Sequence, residues 1–178
     1  MNSDTLVPIM RILVMGVSGC GKSSVGHALA EALSLTFIDG DDLHPKSNRD
    51  KMAGGTPLTD DDRWPWLDKV GKALAEADAP GIVIACSALK RTYRDRILAA
   101  SPETVFVHLT GSRELLLQRM QGRGNHFMKP EMLDSQLAIL EQLAEDEPGI
   151  SIDVAKPLRE IVAASVDYVL GENSGKTD

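Results

Sequence analysis

Two stretches of this chain carry residue types whose spacing could do chemistry. The first is Gly16-Val17-Ser18-Gly19-Cys20-Gly21-Lys22-Ser23, followed by Ser24. It satisfies the pattern G-x-x-x-x-G-K-[ST] between an apolar run and a helical repeat, the context that makes the pattern meaningful. Glycines at these positions let the backbone curl into a nest whose N–H groups converge on phosphate oxygens. The following helix adds the partial positive charge of its N-terminus. Lys22 is placed for the β- and γ-phosphates of ATP, and the Ser23 hydroxyl for Mg²⁺. Cys20 falls at an unconstrained position of the loop, where a small side chain is tolerated.

The second stretch is Asp39-Gly40-Asp41-Asp42-Leu43-His44-Pro45. In an open parallel sheet, ligands bind outside the carboxyl ends of the strands, so Asp39 and Asp41 share a rim with the phosphate loop. One of the two can hold a water of the Mg²⁺ shell and the other can accept a hydrogen bond from an acceptor hydroxyl. Ser87, at the end of a third apolar run, is a further candidate for hydrogen bonding to substrate. Between two helical segments, Arg119, Arg123, His126 and Lys129 surround glycines in a stretch without apolar period. We expect a mobile lid over about 122–130, with Arg123 meeting charge on the transferred phosphoryl group.

The elements that must position these groups read from the apolar periodicity. Strands are expected at Arg11–Met15, Leu35–Ile38, Ile82–Cys86, Val105–Leu109 and Ile150–Ile152. Helices are expected at Lys22–Leu33, Lys46–Ala53, Trp64–Ala77, Lys90–Ala99, Arg113–Gln121, Met132–Leu143 and Leu158–Val169. Strands alternating with helices imply a three-layer α/β/α fold with a parallel sheet. The 178 residues suit one domain, with its core over about 10–170 and flexible ends at 1–9 and 171–178.

Composition narrows the class. The chain is 43% hydrophobic and 25% charged, as globular proteins are, but only 4% aromatic, so Val, Ile, Leu, Ala and Met must build its core. A formal net charge of −7 argues against a nucleic-acid surface and requires a locally basic cleft for ATP. No apolar run approaches the roughly 20 residues that span a bilayer. Met1–Thr5 lacks the cationic start of a signal peptide, and Cys20 and Cys86 make neither a disulfide nor a zinc pattern. A cytoplasmic setting, with no membrane and no nucleic-acid partner, is expected.

Beyond these two stretches the residues become specific. The run from Asp39 to Pro45, then Asn48, Lys51-Met52, Gly55-Thr56-Pro57-Leu58-Thr59-Asp60 and Arg63-Trp64-Pro65-Trp66-Leu67 closely resembles the gluconate kinases. So do Ala85-Cys86-Ser87-Ala88-Leu89-Lys90-Arg91-Thr92-Tyr93-Arg94, Gly124-Asn125-His126-Phe127-Met128 and Ser135-Gln136-Leu137. The motifs fall in order over about residues 11 to 169. The resemblance implies a P-loop kinase fold with five parallel strands ordered 2-3-1-4-5. It also implies phosphoryl transfer from ATP to the 6-hydroxyl of D-gluconate, and often a homodimer.

A sugar acid needs a cation for its carboxylate, and Arg63 is the best clamp because a guanidinium can bind it through two parallel hydrogen bonds. A looser likeness to shikimate kinases matches Asp41 to the residue that orients the acceptor hydroxyl, which leaves Asp39 for the Mg²⁺-bound water. Asn48 and Gln136 are implied substrate contacts. His44 reads either as a polar turn residue or as a substrate contact, and Lys51 either as a solvated charge or as a contact. Trp64 and Trp66 read as packing at a helix start. Lys90, Arg91 and Arg94 read either as a solvated face or, in part, as the basic cleft. The resemblance lays Arg119 against adenine and lets Lys156 and Pro157 border it. Two competitors remain: a shikimate-type kinase, against which Cys86-Ser87-Ala88 stands where those enzymes carry a glycine triplet, and a nucleotide-dependent regulatory module without an acceptor.

Overall fold

Residues along the central strand alternate between two apolar environments, and that alternation builds the molecule. In the computed structural model, which describes residues 8–122 and 130–174, strand β1 spans Met10–Met15. Ile12 and Val14 enter one buried cluster, and Leu13 and Met15 enter the other. A strand apolar on both faces must be covered on both. Strand β3 (Gly81–Ala85) repeats the pattern with Val83 on one side and Ile82 and Ile84 on the other. Strand β4 (Val105–Thr110) does so with Val107 and Phe106.

Together with β2 (Thr36–Asp39) and β5 (Gly149–Asp153), these form one parallel sheet in the order β2-β3-β1-β4-β5. This is the expected fold class and strand order. Helices α1 (Lys22–Leu33), α5 (Arg113–Gln121), α6 (Pro130–Ile139) and α7 (Leu158–Ser174) contribute to the first cluster. Helices α3 (Asp60–Ala75) and α4 (Arg91–Ala100) pack on the second. Short α2 (Lys46–Ala53) joins the rim to α3. Among the described residues no helix is long and apolar enough to cross a membrane.

Three helix boundaries differ from the sequence reading by four residues or more. Helix α3 begins at Asp60, not Trp64, because Thr59 accepts from the Asp62 N–H while the Asp62 carboxylate accepts from the Thr59 N–H. This reciprocal cap stabilises a polar first turn that apolar periodicity cannot detect. Helix α6 stops at Ile139, not Leu143. The chain beyond it is drawn away by the Glu141 N–H bond to Leu89 O (2.8 Å) and by Glu147, which ion-pairs with Arg94 on α4 (2.6 Å). Helix α7 continues to Ser174, so the tail expected to fray from Gly171 starts as helix.

That ion pair also corrects the reading of the basic helix. The Arg94 side chain is fully buried, donating to Glu147 and to the carbonyls of Ala88 and Leu89. Arg91 forks onto Asp146 at 2.7–2.9 Å. Neither contributes to a cleft; only Lys90 remains there. Burial works against the Glu147 charge, but Arg94 and the Ala144 N–H outweigh it and hold its pKa below the ordinary glutamate value.

His108, on β4 between Met15 of β1 and Ser151 of β5, is fully buried, and neither ring nitrogen has a hydrogen-bond partner among the described residues. Burial, then the positive charge of Arg94, lowers its pKa to about 4, with Glu147 partly opposing. The imidazole is therefore neutral in the fold and charged in the unfolded chain between about pH 6.5 and 4. In that window the unfolded state binds more protons, so stability is full above pH 6.5 and falls as pH drops. We expect His108 to contribute a loss of about 2 kcal/mol between pH 6.5 and 5, from about 1.4 kcal/mol per pH unit. Urea unfolding of wild type and His108→Gln at both pH values checks this; equal pH dependence in the two proteins refutes it.

Candidate active site

The loop from Gly16 to Gly21 links β1 to α1 and lies against neighbouring strands. The Gly16 N–H bonds to Ser87 O at 3.3 Å, and its φ is 148°. A Cβ there would stand 2.8 Å from both Leu109 O and Cys20 Sγ, so glycine is required. Val17 and Cys20 turn into the core while Ser18 and Gly19 stay partly exposed. Helix α1 has no side-chain cap and no acidic residue in its first turn. Its leading N–H groups are thus left for an external anion, a fit to the phosphates of a nucleotide. Lys22 Nζ folds back to Val17 O at 3.1 Å.

Gln136, expected as a substrate contact, also holds this loop. Its Oε1 accepts from Ser18 N at 2.7 Å and its Nε2 donates to Ser18 Oγ at 3.0 Å, which ties α6 to the phosphate cradle.

Across the rim, Ser23 Oγ donates to Asp39 Oδ2 at 3.3 Å, and Asp39 Oδ1 accepts from Asp41 N at 3.0 Å. One carboxylate thus joins the start of α1 to the start of the 3₁₀ turn Gly40–Leu43. Among the described residues no group of three or more acidic, His or Cys side chains could hold a metal. Ser23 and Asp39 are nonetheless hard oxygen donors beside a phosphate cradle, a set that suits Mg²⁺ carrying most of its ligands as water and phosphate. The Asp41 pKa is raised, first because the cleft strips its hydration and then by the Asp39 charge, with Lys22 opposing. Cys86 behind it is fully buried and its thiol is pushed up to about 12, leaving it unreactive at neutral pH.

The wall beside the acidic turn is built from α2 and α3. His44 is buried and stacks on Trp66, with ring centroids 4.0 Å apart. Trp66 Nε1 donates to Gly40 O at 2.7 Å, so the tryptophan is packing and also anchors the acidic turn. Asn48 Nδ2 donates to Asp62 O at 2.8 Å and to His44 Nδ1 at 3.2 Å. Because a backbone oxygen can only accept, the amide orientation follows, and the His44 proton belongs on Nε2. Burial, then Arg49 and Arg63, lower the His44 pKa to about 4. Lys51 pairs with both oxygens of Asp62, at 3.0 and 2.8 Å. Arg63 Nη1 contacts Tyr93 Oη at 3.2 Å and Asp60 Oδ1 at 3.4 Å.

On the other side of the loop lies a cavity of about 260 Å³ lined by Gly19, Gly21, Val25, Arg119, Lys156 and Ile161, among others. Arg119 Nη2 donates to Val154 O at 2.5 Å, which lays its guanidinium along the cavity. Arg119 and Lys156, expected to border adenine, line this cavity, and the carbonyl of Pro157, expected beside them, accepts from Glu160 and Ile161 at the start of α7. The apolar floor of Val25, Leu158 and Ile161 was read only as helix faces; its one clue was Leu158 directly after Lys156-Pro157. Arg123, His126 and Lys129, with most of the expected lid, lie outside the described residues.

A family model described as shikimate kinase matches residues 18–156. The chain is 45% identical over 171 residues to a probable gluconokinase of Xenopus tropicalis, spanning 86% of this chain and 90% of that protein. It is 39% identical over 160 residues to the thermoresistant gluconokinase of Escherichia coli, spanning 88% and 91%. The chain belongs to the gluconokinase family. A solved gluconokinase from Sinorhizobium meliloti 1021 superposes with a TM-score of 0.86 at 46% identity, over 95% of each chain. Gluconokinases and the wider shikimate kinase family are ATP-dependent kinases, and so is this chain.

Asp41→Asn keeps the shape of the rim and removes a proton acceptor. If Asp41 takes the proton of an acceptor hydroxyl, kcat should fall about 10²-fold, the low end for loss of a general base, because a loose phosphoryl-transfer transition state asks chiefly for orientation. The raised Asp41 pKa puts the acidic limb of the wild-type pH–rate profile above the ordinary aspartate range, with activity lost as pH falls through it. That limb should vanish in the variant; an unchanged limb would assign it to another group.

Proposed function

We infer that this chain is a cytoplasmic gluconokinase, transferring the γ-phosphoryl group of ATP to the 6-hydroxyl of D-gluconate to give 6-phosphogluconate and ADP. The observation that carries the reading is the direct link between the two halves of the site. Ser23 of the phosphate helix and the Asp41 backbone share the Asp39 carboxylate, and Trp66 of α3, three residues after Arg63, donates to Gly40 O between the two aspartates.

In this reading the backbone from Gly16 to Ser24 cradles the phosphates, and Lys22 leaves its Val17 contact to neutralise them. Mg²⁺, when bound, would screen phosphate charge beside Ser23, with Asp39 holding one of its waters. Asp41 orients the acceptor hydroxyl and takes its proton. Arg119 and Lys156 flank the nucleoside over the apolar floor. Arg63 clamps the acceptor carboxylate. His44, Asn48 and Lys51 hold the wall in shape and present His44 Nε2 and Lys51 to hydroxyls, while Ser87 faces the substrate from the end of β3. Residues 1–178 act as one domain, with 122–130 closing as a lid and Arg123 meeting the phosphoryl oxygens.

A coupled ADP-release assay against D-gluconate, shikimate, other sugar acids and nucleoside monophosphates tests the assignment. We expect Mg²⁺-dependent turnover with D-gluconate far above every other acceptor; equal rates with shikimate or a nucleotide would overturn the substrate. A second test is Arg63→Leu. A clamp distant from the reacting hydroxyl binds ground and transition states alike, so the gluconate KM should rise about 10–100-fold with little change in kcat, from the loss of roughly 1.5–3 kcal/mol in a charged hydrogen bond. An unchanged KM would place the clamp elsewhere.

A further inference from the structure

Between the starts of α3 and α4 stands a cluster that the site description leaves unassigned. Tyr93 Oη donates to Asp60 Oδ1 at 2.5 Å. Around this pair two cations gather more loosely. Lys90 Nζ lies 3.4 Å from Asp60 Oδ2, and Arg63 Nη1 lies 3.4 Å from Asp60 Oδ1. Both also sit over the Tyr93 ring, Lys90 at 5.5 Å and Arg63 at 5.6 Å from its centroid. Two positive charges therefore face one negative charge, leaving a surplus of one.

The location matters as much as the charge. Lys90 follows Ser87 by three residues, and Ser87 O accepts from Gly16 N of the phosphate loop. Asp60 and Arg63 lie in the first turn of α3, whose Trp66 holds Gly40 between Asp39 and Asp41. Lys90 is also the cap residue of α4, whose first turn contains no acidic side chain. Burial, then the Asp60 bond, push the Tyr93 hydroxyl up to about 12, so it stays a donor. Asp60 is thus held as an acceptor by Tyr93, while each cation retains hydrogen-bonding capacity.

We propose that Lys90 is the second cation of the acceptor-carboxylate site, paired with Arg63 across the Tyr93 ring, and that Asp60 and Tyr93 are the positioning residues that hold the two cations one charge in excess. This rests on the sugar-acid reading above and sharpens it: two cations converging on one carboxylate select a sugar acid over the corresponding polyol. Lys90 thereby determines specificity, and the loose 3.4 Å contacts are those a bound carboxylate would replace.

The test compares D-gluconate with D-glucitol, which keeps the terminal hydroxyl and lacks the carboxylate, in wild type, Lys90→Met, Lys90→Arg and Tyr93→Phe. Lys90→Met should raise the gluconate KM at least about tenfold with kcat within threefold, and narrow the gluconate-to-glucitol ratio of kcat/KM by the same factor. Lys90→Arg should restore most of the loss. Tyr93→Phe should raise the gluconate KM and weaken its dependence on ionic strength. The ATP KM and the circular dichroism of each variant separate local effects from misfolding. An unchanged gluconate KM in Lys90→Met, or equal losses for both acceptors, overturns the proposal. Wild type without gluconate turnover would instead overturn the substrate assignment and this inference with it.

Discussion

The site depends on one carboxylate shared between two helical starts. Asp39 closes β2, and its two oxygens reach in different directions, to the Ser23 hydroxyl on α1 and to the Asp41 N–H on the 3₁₀ turn. For this to occur β2 must end level with β3, and Asp39 pairs in register with Ala85. The turn after Asp39 then passes so close to β3 that a Cβ on Gly40 would lie 2.4 Å from Ala85 O. Close passage, in turn, brings Gly40 O to the indole of Trp66, which fixes α3 against the rim. Phosphate cradle, acidic pair and the start of α3 are thereby coupled through a few short contacts.

Electrostatics explains why so acidic a chain can gather polyanions. Four of its ten arginines are consumed in pairs away from the cleft: Arg91–Asp146, Arg94–Glu147, Arg96–Asp68 and Arg113–Asp134. The cations that face the site are held differently. Lys22 rests on a backbone carbonyl, and Arg63 and Lys90 share a single carboxylate. Positive charge is thus in local excess around Asp60, although the chain as a whole carries a net charge of −7.

Features fixed by short-range chemistry were legible in the sequence. The phosphate loop, α1 from Lys22 to Leu33 and α2 from Lys46 to Ala53 stand where glycine pattern and periodicity place them. Contacts made across long sequence separations were not. Gln136 reaches Ser18 across 118 residues, so a polar side chain on α6 gives no local hint that it supports the cradle. Arg94 reads as one of three surface cations, yet it is buried because Glu147 meets it 53 residues later. Asp60 and Tyr93 fall in two separate motifs 33 residues apart, and nothing in either motif says that the two side chains meet. The capping pair Thr59–Asp62 was in principle readable, but the acidic run Asp60-Asp61-Asp62 resembles a loop until its reciprocal bonds are seen.

The central claim is that the acceptor is held by its carboxylate at the α3 wall while its distal hydroxyl is presented to Asp41 beside the phosphate cradle. The most direct test is the position of the transferred phosphate. Product formed from ATP and ¹³C-labelled D-gluconate can be analysed by phosphorus–carbon and phosphorus–proton correlation NMR. The account predicts a single phosphomonoester coupled to the C6 methylene, the carbon farthest from the carboxylate. Phosphorus on an inner hydroxyl, or an acyl phosphate at C1, would contradict it.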